Sequence, residues 1–177
     1  MSSLAVWLLL LQIAKTAPMP ELPSTPGVYY RQGDATWVRL QVAPIAEMKT
    51  RGMDLFIETG GFTNLGMRIV CRGAKASLRI SVSKPTFFVR ETASSKDLML
   101  VRFTQKKGTR TFQTSSASAT VENKEGFRKG DIRKMAVTEF PDHSFLAIPE
   151  GDLNPGEYLL VCGDATAGFD FGIDPNK

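Results

Sequence analysis

From residue 28 onward, apolar and polar positions alternate with a period of two, the repeat of half-buried β-strands. Segments 28–31 and 36–42 flank Gln32, Gly33, Asp34 and Ala35, which signals a hairpin. In the second segment Val38, Leu40 and Val42 share one face, and Trp37, Arg39 and Gln41 share the other. MDLFIE at 53–58 predicts a further strand, ended by Gly60 and Gly61. Across 65–71, Met67, Ile69 and Cys71 fall on one face, with Arg68 and Arg72 opposite. Leu78, Ile80 and Val82 then point inward, and Arg79, Ser81 and Ser83 outward. LMLVRF at 98–103 is apolar on both faces, which predicts a central strand. Lys106, Lys107 and Gly108 turn the chain back into 109–113, and 86–90 is one more strand. Residues 114–131 are polar, small and charged, and predict a long loop, a bulged edge or a flap. Regularity resumes at 132–140, 144–148, 158–162 and 169–173. The only helix candidate is PIAEMKTR at 44–51, about two turns long.

Some ten to twelve short strands with Gly/Pro turns predict an all-β fold, an antiparallel β-sandwich of two stacked layers. A closed barrel is the alternative. A length of 177 residues is that of one domain. LAVWLLLLQIA at 4–14 is too short to span a bilayer but matches the apolar region of a secretory signal peptide. Residues 1–17 are therefore expected to be that signal, 18–26 (PMPELPSTP within it) a proline-rich linker, and 27–177 the folded domain. The expected location is periplasmic or extracellular.

Export changes how the two cysteines read. A Cys71–Cys162 disulfide is permitted outside the cytoplasm. It would close a loop of about 90 residues, worth about 4 kcal/mol in the chain-entropy model. The alternative is two buried free thiols acting as small apolar groups.

The net charge of +4 conceals a segregation. Residues 18–95 carry +4, residues 96–134 carry +6, and residues 135–177 carry −7. Such a split permits head-to-tail self-assembly into a homo-oligomer or internal neutralisation on folding. Arg68, Arg72, Lys75 and Arg79 could form a basic stripe for lipopolysaccharide, peptidoglycan or another acidic polymer. The same residues also suit a solvated sheet face protected from edge pairing. Aromatics do not interleave with the cations as single-strand nucleic-acid sites require, so nucleic acid is not an expected partner.

Signals for catalysis are sparse. His143 is the sole histidine, and Asp142, His143 and Ser144 are adjacent, whereas triad members converge from different elements. A solvent-facing turn histidine is the simpler reading. No G-x-S-x-G, H-E-x-x-H, P-loop or G-x-G-x-x-G sequence occurs. Cys71 as a nucleophile would need a base such as His143 beside it. Asp164, Asp170 and Asp174 cluster near the C-terminus and could bind calcium (Ca2+) from loops at one end of a sandwich. Glycine-rich turns also use aspartate for conformational reasons alone.

Several segments together carry a resemblance: PGVYYR at 26–31 followed by WVRL at 37–40, LMLVR at 98–102 leading to Lys106 and Lys107, LNPGEY at 153–158 and FDFGID at 169–174. With them the chain resembles a group of exported bacterial β-rich, Ig-like sandwich proteins, over roughly residues 26–174. The group has no assigned activity, so the resemblance implies a fold and a location but transfers no catalytic residue. Cys71 and Cys162 depart from it.

The expectation is an exported, non-enzymatic module of the cell envelope that binds a protein or glycan partner. An envelope hydrolase or transferase using His143, and a charge-driven self-assembling structural protein, are the alternatives.

Overall fold

The structure, a computed structural model, describes residues 21–34, 36–51, 66–90, 94–113, 130–163 and 168–175. Among the described residues most of the period-two segments become strand. In chain order these are β1 (Gly27–Gln32), β2 (Thr36–Arg39), β3 (Ile45–Arg51), β4 (Gly66–Cys71), β5 (Arg79–Ile80), β6 (Phe87–Arg90) and β7 (Leu98–Arg102). They continue with β8 (Thr104–Lys106), β9 (Thr109–Gln113), β10 (Ile132–Arg133), β11 (Met135–Glu139), β12 (Phe145–Pro149), β13 (Gly156–Cys162) and β14 (Gly168–Ile173). Among the described residues the helical structure is a single 3-10 turn, Ser95–Asp97, capped by the Ser94 hydroxyl.

Among the described residues the strands form three sheets, none of which closes into a barrel. Sheet I runs β11-β12-β6-β1-β2, sheet II β10-β7-β13-β14-β5, and sheet III β3-β4-β9-β8. Neighbours pair antiparallel except β14 and β5, which are parallel. Where two layers were expected, there are three, and sheet II is the middle one. Its strands must therefore bury both faces, and their sequences allow it.

Leu98 and Leu100 of β7, Tyr158 and Leu160 of β13, and Phe171 and Ile173 of β14 pack against sheet I. There they meet Val28 and Tyr30 of β1, Phe87 and Val89 of β6, and Phe145 and Ala147 of β12. The intervening residues Met99, Val101, Leu159 and Val161 face the other way, onto Ile69, Cys71 and Phe112 of sheet III. Two cores thus share one sheet. The double-sided apolar character read at 98–103 has its cause here.

Several elements differ from the sequence reading. In the segment 44–51, residues Ile45–Arg51 are strand β3, not a helix. β3 pairs with β4 from Ile45↔Cys71 to Arg51↔Gly66, with a bulge between Ile45 and Glu47. Two turns of isolated helix are marginal in water, and the ladder with β4 outweighs the local propensity of Ala46, Glu47, Met48 and Lys49. Residues 132–140 are two strands rather than one. The chain leaves sheet II after Arg133 and enters sheet I at Met135. Val82, expected inside, is 46% exposed, because β5 ends at Ile80. β2 ends at Arg39, and Val42 makes only an isolated bridge to Phe169. The strand expected at 53–58 lies outside the described residues, as does most of the 114–131 loop.

The end of the proline-rich stretch is tied to sheet I. Arg39 and Arg90 donate to the carbonyls of Pro26 and Pro23 at 3.1 and 3.2 Å, and Tyr29 Oη contacts Thr25 Oγ1 at 2.5 Å. Beneath it, on the outer face of sheet I, Phe88 is ringed by Tyr29, Trp37 and Phe140, with centroids 5.7–6.4 Å apart.

Candidate functional site

Charged side chains concentrate where sheets II and III meet at one end. Register explains how. Gly172 of β14 pairs with Glu157 of β13 on one side and with Arg79 of β5 on the other. The three residues therefore lie in a row on the face toward sheet III. Glycine at the middle position lets the Arg79 side chain cross β14. A Cβ at residue 172 would lie 1.6 Å from Arg79 Nη1 and 2.1 Å from its Cζ. Arg79 Nη1 reaches Glu157 Oε1 at 2.6 Å, and Nη2 reaches Asp174 Oδ1 at 2.7 Å. Glu157 is 2% exposed, and its Oε2 also accepts the Ala76 N–H at 2.6 Å.

Arg110 enters from β9 of sheet III and is 1% exposed. Its Nη1 donates to Asp170 Oδ2 of β14 and lies 3.9 Å from Glu157 Oε2. The remaining nitrogens hold a loop: Nε donates to the Gly73 carbonyl at 3.2 Å and Nη2 to that of Arg72 at 2.9 Å. The guanidinium also stands 5.5 Å from the centre of the Phe103 ring, a cation–π contact. Gln105 of β8 donates to the next carbonyl of the loop, Ala74, at 2.7 Å. Three consecutive carbonyls of 72–74 are thus held by side chains of the β8–β9 hairpin. A loop so held loses little freedom on binding.

Above this network lie exposed cations. Arg72 and Lys75 belong to the clamped loop, and Lys106 and Lys107 to the tip of the hairpin that clamps it. Lys107 has a φ of 48° and Gly108 one of 75°, both in the left-handed region, as the tight two-residue hairpin turn requires. Lys75 adds to the positive field at Asp174. That carboxyl is held below the usual carboxylate range by the Arg79 hydrogen bond first, and then by the positive charges of Arg79 and Lys75. Arg79 is pushed upward in return, chiefly by its hydrogen bond to Asp174.

The basic residues read from the sequence thus divide. Arg72 and Lys75 stand together on the exposed loop. Arg79 is neutralised by Glu157 and Asp174, and Arg68 lies half-buried on the outer face of sheet III, away from the loop. Lys106 and Lys107, read as turn residues, complete the cluster. Gln105 and Arg110, the residues that join hairpin to loop, carry no local sequence signal of that role.

Of the aspartates proposed for calcium, Asp164 lies outside the described residues. Asp170 is committed to Arg110 and Asp174 to Arg79. Among the described residues no three His, Cys, Asp or Glu side chains group as metal ligands. Cys71 and Cys162 are both free thiols. They face different cores, Cys71 between sheets II and III and Cys162 toward sheet I. Burial pushes their thiols up to about 11 and about 12. His143 is exposed in the β11–β12 turn with a φ of 60°. Its neighbour Ser144 donates from Oγ to Asp142 at 2.6 Å. That bond, its backbone counterpart from Ser144 and the charge of Arg90 hold the Asp142 carboxyl below its usual range.

In comparisons with known proteins, no family model matches the chain, and no curated protein or solved structure matches it either.

Proposed function

We propose that the protein is an exported, non-enzymatic β-sandwich module of the cell envelope that binds an acidic glycan through the clamped loop pair. The observation that carries this reading is the exposed set Arg72, Lys75, Lys106 and Lys107 on two loops joined by Arg110 and Gln105. Such a cluster offers several cations at fixed spacing to a chain of anionic groups, and the clamping lowers the entropy lost on binding. The apolar segment at 4–14 and the likeness to exported β-rich proteins support delivery to the envelope. For an enzyme using His143, a nucleophile would have to stand within reach of the ring. The nearest hydroxyl in sequence, Ser144, is turned to Asp142 instead.

The test is retention on an immobilised sulfated polysaccharide over a salt gradient. Lys106→Glu with Lys107→Glu is expected to weaken binding on the order of tenfold, since each exposed ion contact is worth up to about 1 kcal/mol. Lys84→Glu, on the connection before β6, is the control. Equal retention of both variants and the unmodified protein would refute the loop pair as the site.

A further inference from the structure

Open sheet edges invite pairing with other chains, and proteins blunt them with charge, proline, bulges or brevity. Among the described strands, five of the six sheet edges are blunted. β5 and β10 are two residues long. β8 is three residues and ends in Lys106, β2 is four and ends in Arg39, and β3 carries a bulge with Glu47, Lys49 and Arg51 along it. β11 is different. It is five residues, Met135–Glu139, with no cation, proline or bulge, and its one charge, Glu139, is engaged by the Ser95 hydroxyl.

The hydrogen bonds to β12 show which groups of β11 face outward. Phe140 donates to Ser144 at 2.8 Å, and the Lys134 carbonyl accepts from Glu150 at 3.0 Å. The even-numbered positions therefore point to β12. The N–H and C=O groups of Met135, Val137 and Glu139 point to the free edge, where no strand pairs with them among the described residues. Beside that edge lies a cleft of about 370 Å³, opened where the chain crosses from sheet II to sheet I. Leu98, Met99, Ile132, Met135 and Val137 supply its apolar surface. Lys96, Arg133 and Lys134 also line it, and no acidic side chain does. Val137 is 37% exposed there, a large apolar group left uncovered.

We infer that β11 accepts an extended peptide of a partner protein as an added strand, with alternating apolar and acidic side chains. The backbone of the peptide pairs with Met135, Val137 and Glu139. Its apolar side chains alternate into the cleft, and its carboxylates, on the opposite face of the added strand, are drawn by the positive field of Lys96, Arg133 and Lys134. This is recognition by strand addition, in which the backbone provides affinity and the alternate pockets provide selectivity. The site is separate from the loop pair, so either can fail without the other.

The probe is a labelled peptide of about eight residues alternating valine and glutamate, long enough to cover the whole of β11 with an overhang at each end. Its binding to the full chain is read by fluorescence anisotropy and by amide exchange at Val137 and Glu139. Saturable binding with slowed exchange at both amides is expected. Val137→Pro removes a donor from the free edge without touching a β11–β12 bond, and should weaken binding at least tenfold. Lys96→Glu with Lys134→Glu should do the same while leaving the peptide backbone sites intact. A circular-dichroism melt identifies any variant that misfolds, and Val137→Lys, which keeps the backbone, then serves instead. Equal binding of a valine–lysine peptide would overturn the inference. So would equal binding to Val137→Pro, or a protein whose edge is already filled by a second copy, seen as a dimer that Val137→Pro dissociates.

Discussion

At the scale of single residues, Gly172 shows how one missing side chain permits a charge network. Its conformation is ordinary, and what it supplies is the space through which Arg79 reaches Glu157. Gly172→Ala should expel the guanidinium and leave Glu157, 2% exposed, with the Ala76 amide and the distant Arg110. Removing one partner of a buried pair costs about 3–5 kcal/mol. We expect a loss toward the lower end in urea unfolding, because the Ala76 bond survives. Gly151→Ala, where an added Cβ meets nothing within 4 Å, should leave the midpoint unchanged. The cysteines give a second test. Thiols pushed up to about 11 and about 12 are almost wholly protonated at pH 8. A thiol-reactive disulfide reagent should therefore titrate neither in the native protein and both after unfolding. The sequence marked both cysteines as strand residues. Which core each faces depends on sheet order, and nothing local in the sequence encodes sheet order.

At the scale of elements, alternation identified most strands because each carries its own burial pattern. LMLVRF at 98–103 marks β7 as central, since a strand covered on both sides need not alternate. β3 and the break at Lys134 were hidden because partners decide them: β3 becomes a strand through β4, and β10 and β11 separate because different sheets claim them. The β8–β9 hairpin tests whether its turn is built for stability or for contact. A lysine at a φ of 48° holds a conformation that asparagine adopts more readily. Lys107→Asn should raise stability by about 0.5–1 kcal/mol. If the hairpin tip binds acidic glycan, the same substitution should lower retention on the sulfated polysaccharide. Stability and retention moving in opposite directions would mean that a cation is kept there for binding at the expense of the turn.

At the scale of the whole molecule, the fold redistributes the charge segregated along the chain. Arg79, Arg90 and Arg110, from the basic part, meet Asp142, Glu157, Asp170 and Asp174 from the acidic last quarter. Only long-range pairing, Arg79 with Asp174 for instance, decides between internal neutralisation and self-assembly, so composition alone left both open. With four of its eight carboxylates paired inside the molecule, half the negative charge of this acidic quarter is neutralised within the fold. The mass in solution should stay that of a monomer from low to high salt, and a salt-sensitive oligomer would contradict this. The same pairing fixes the response to acid. Asp142 and Asp174 have carboxyl values below the ordinary one when folded, so each favours the folded state above the unfolded value, about 4. That contribution fades as pH falls from about 4 through the depressed folded values, where protonation releases Arg90 and Arg79. The melting temperature should therefore show no loss from these two groups between pH 5 and 8 and should drop below about pH 4. Asp174→Asn should lower the plateau and flatten the acid limb, because the group that titrates is gone. If its acid limb keeps the original steepness, the loss arises elsewhere and the pairing of Arg79 with Asp174 does not govern acid stability.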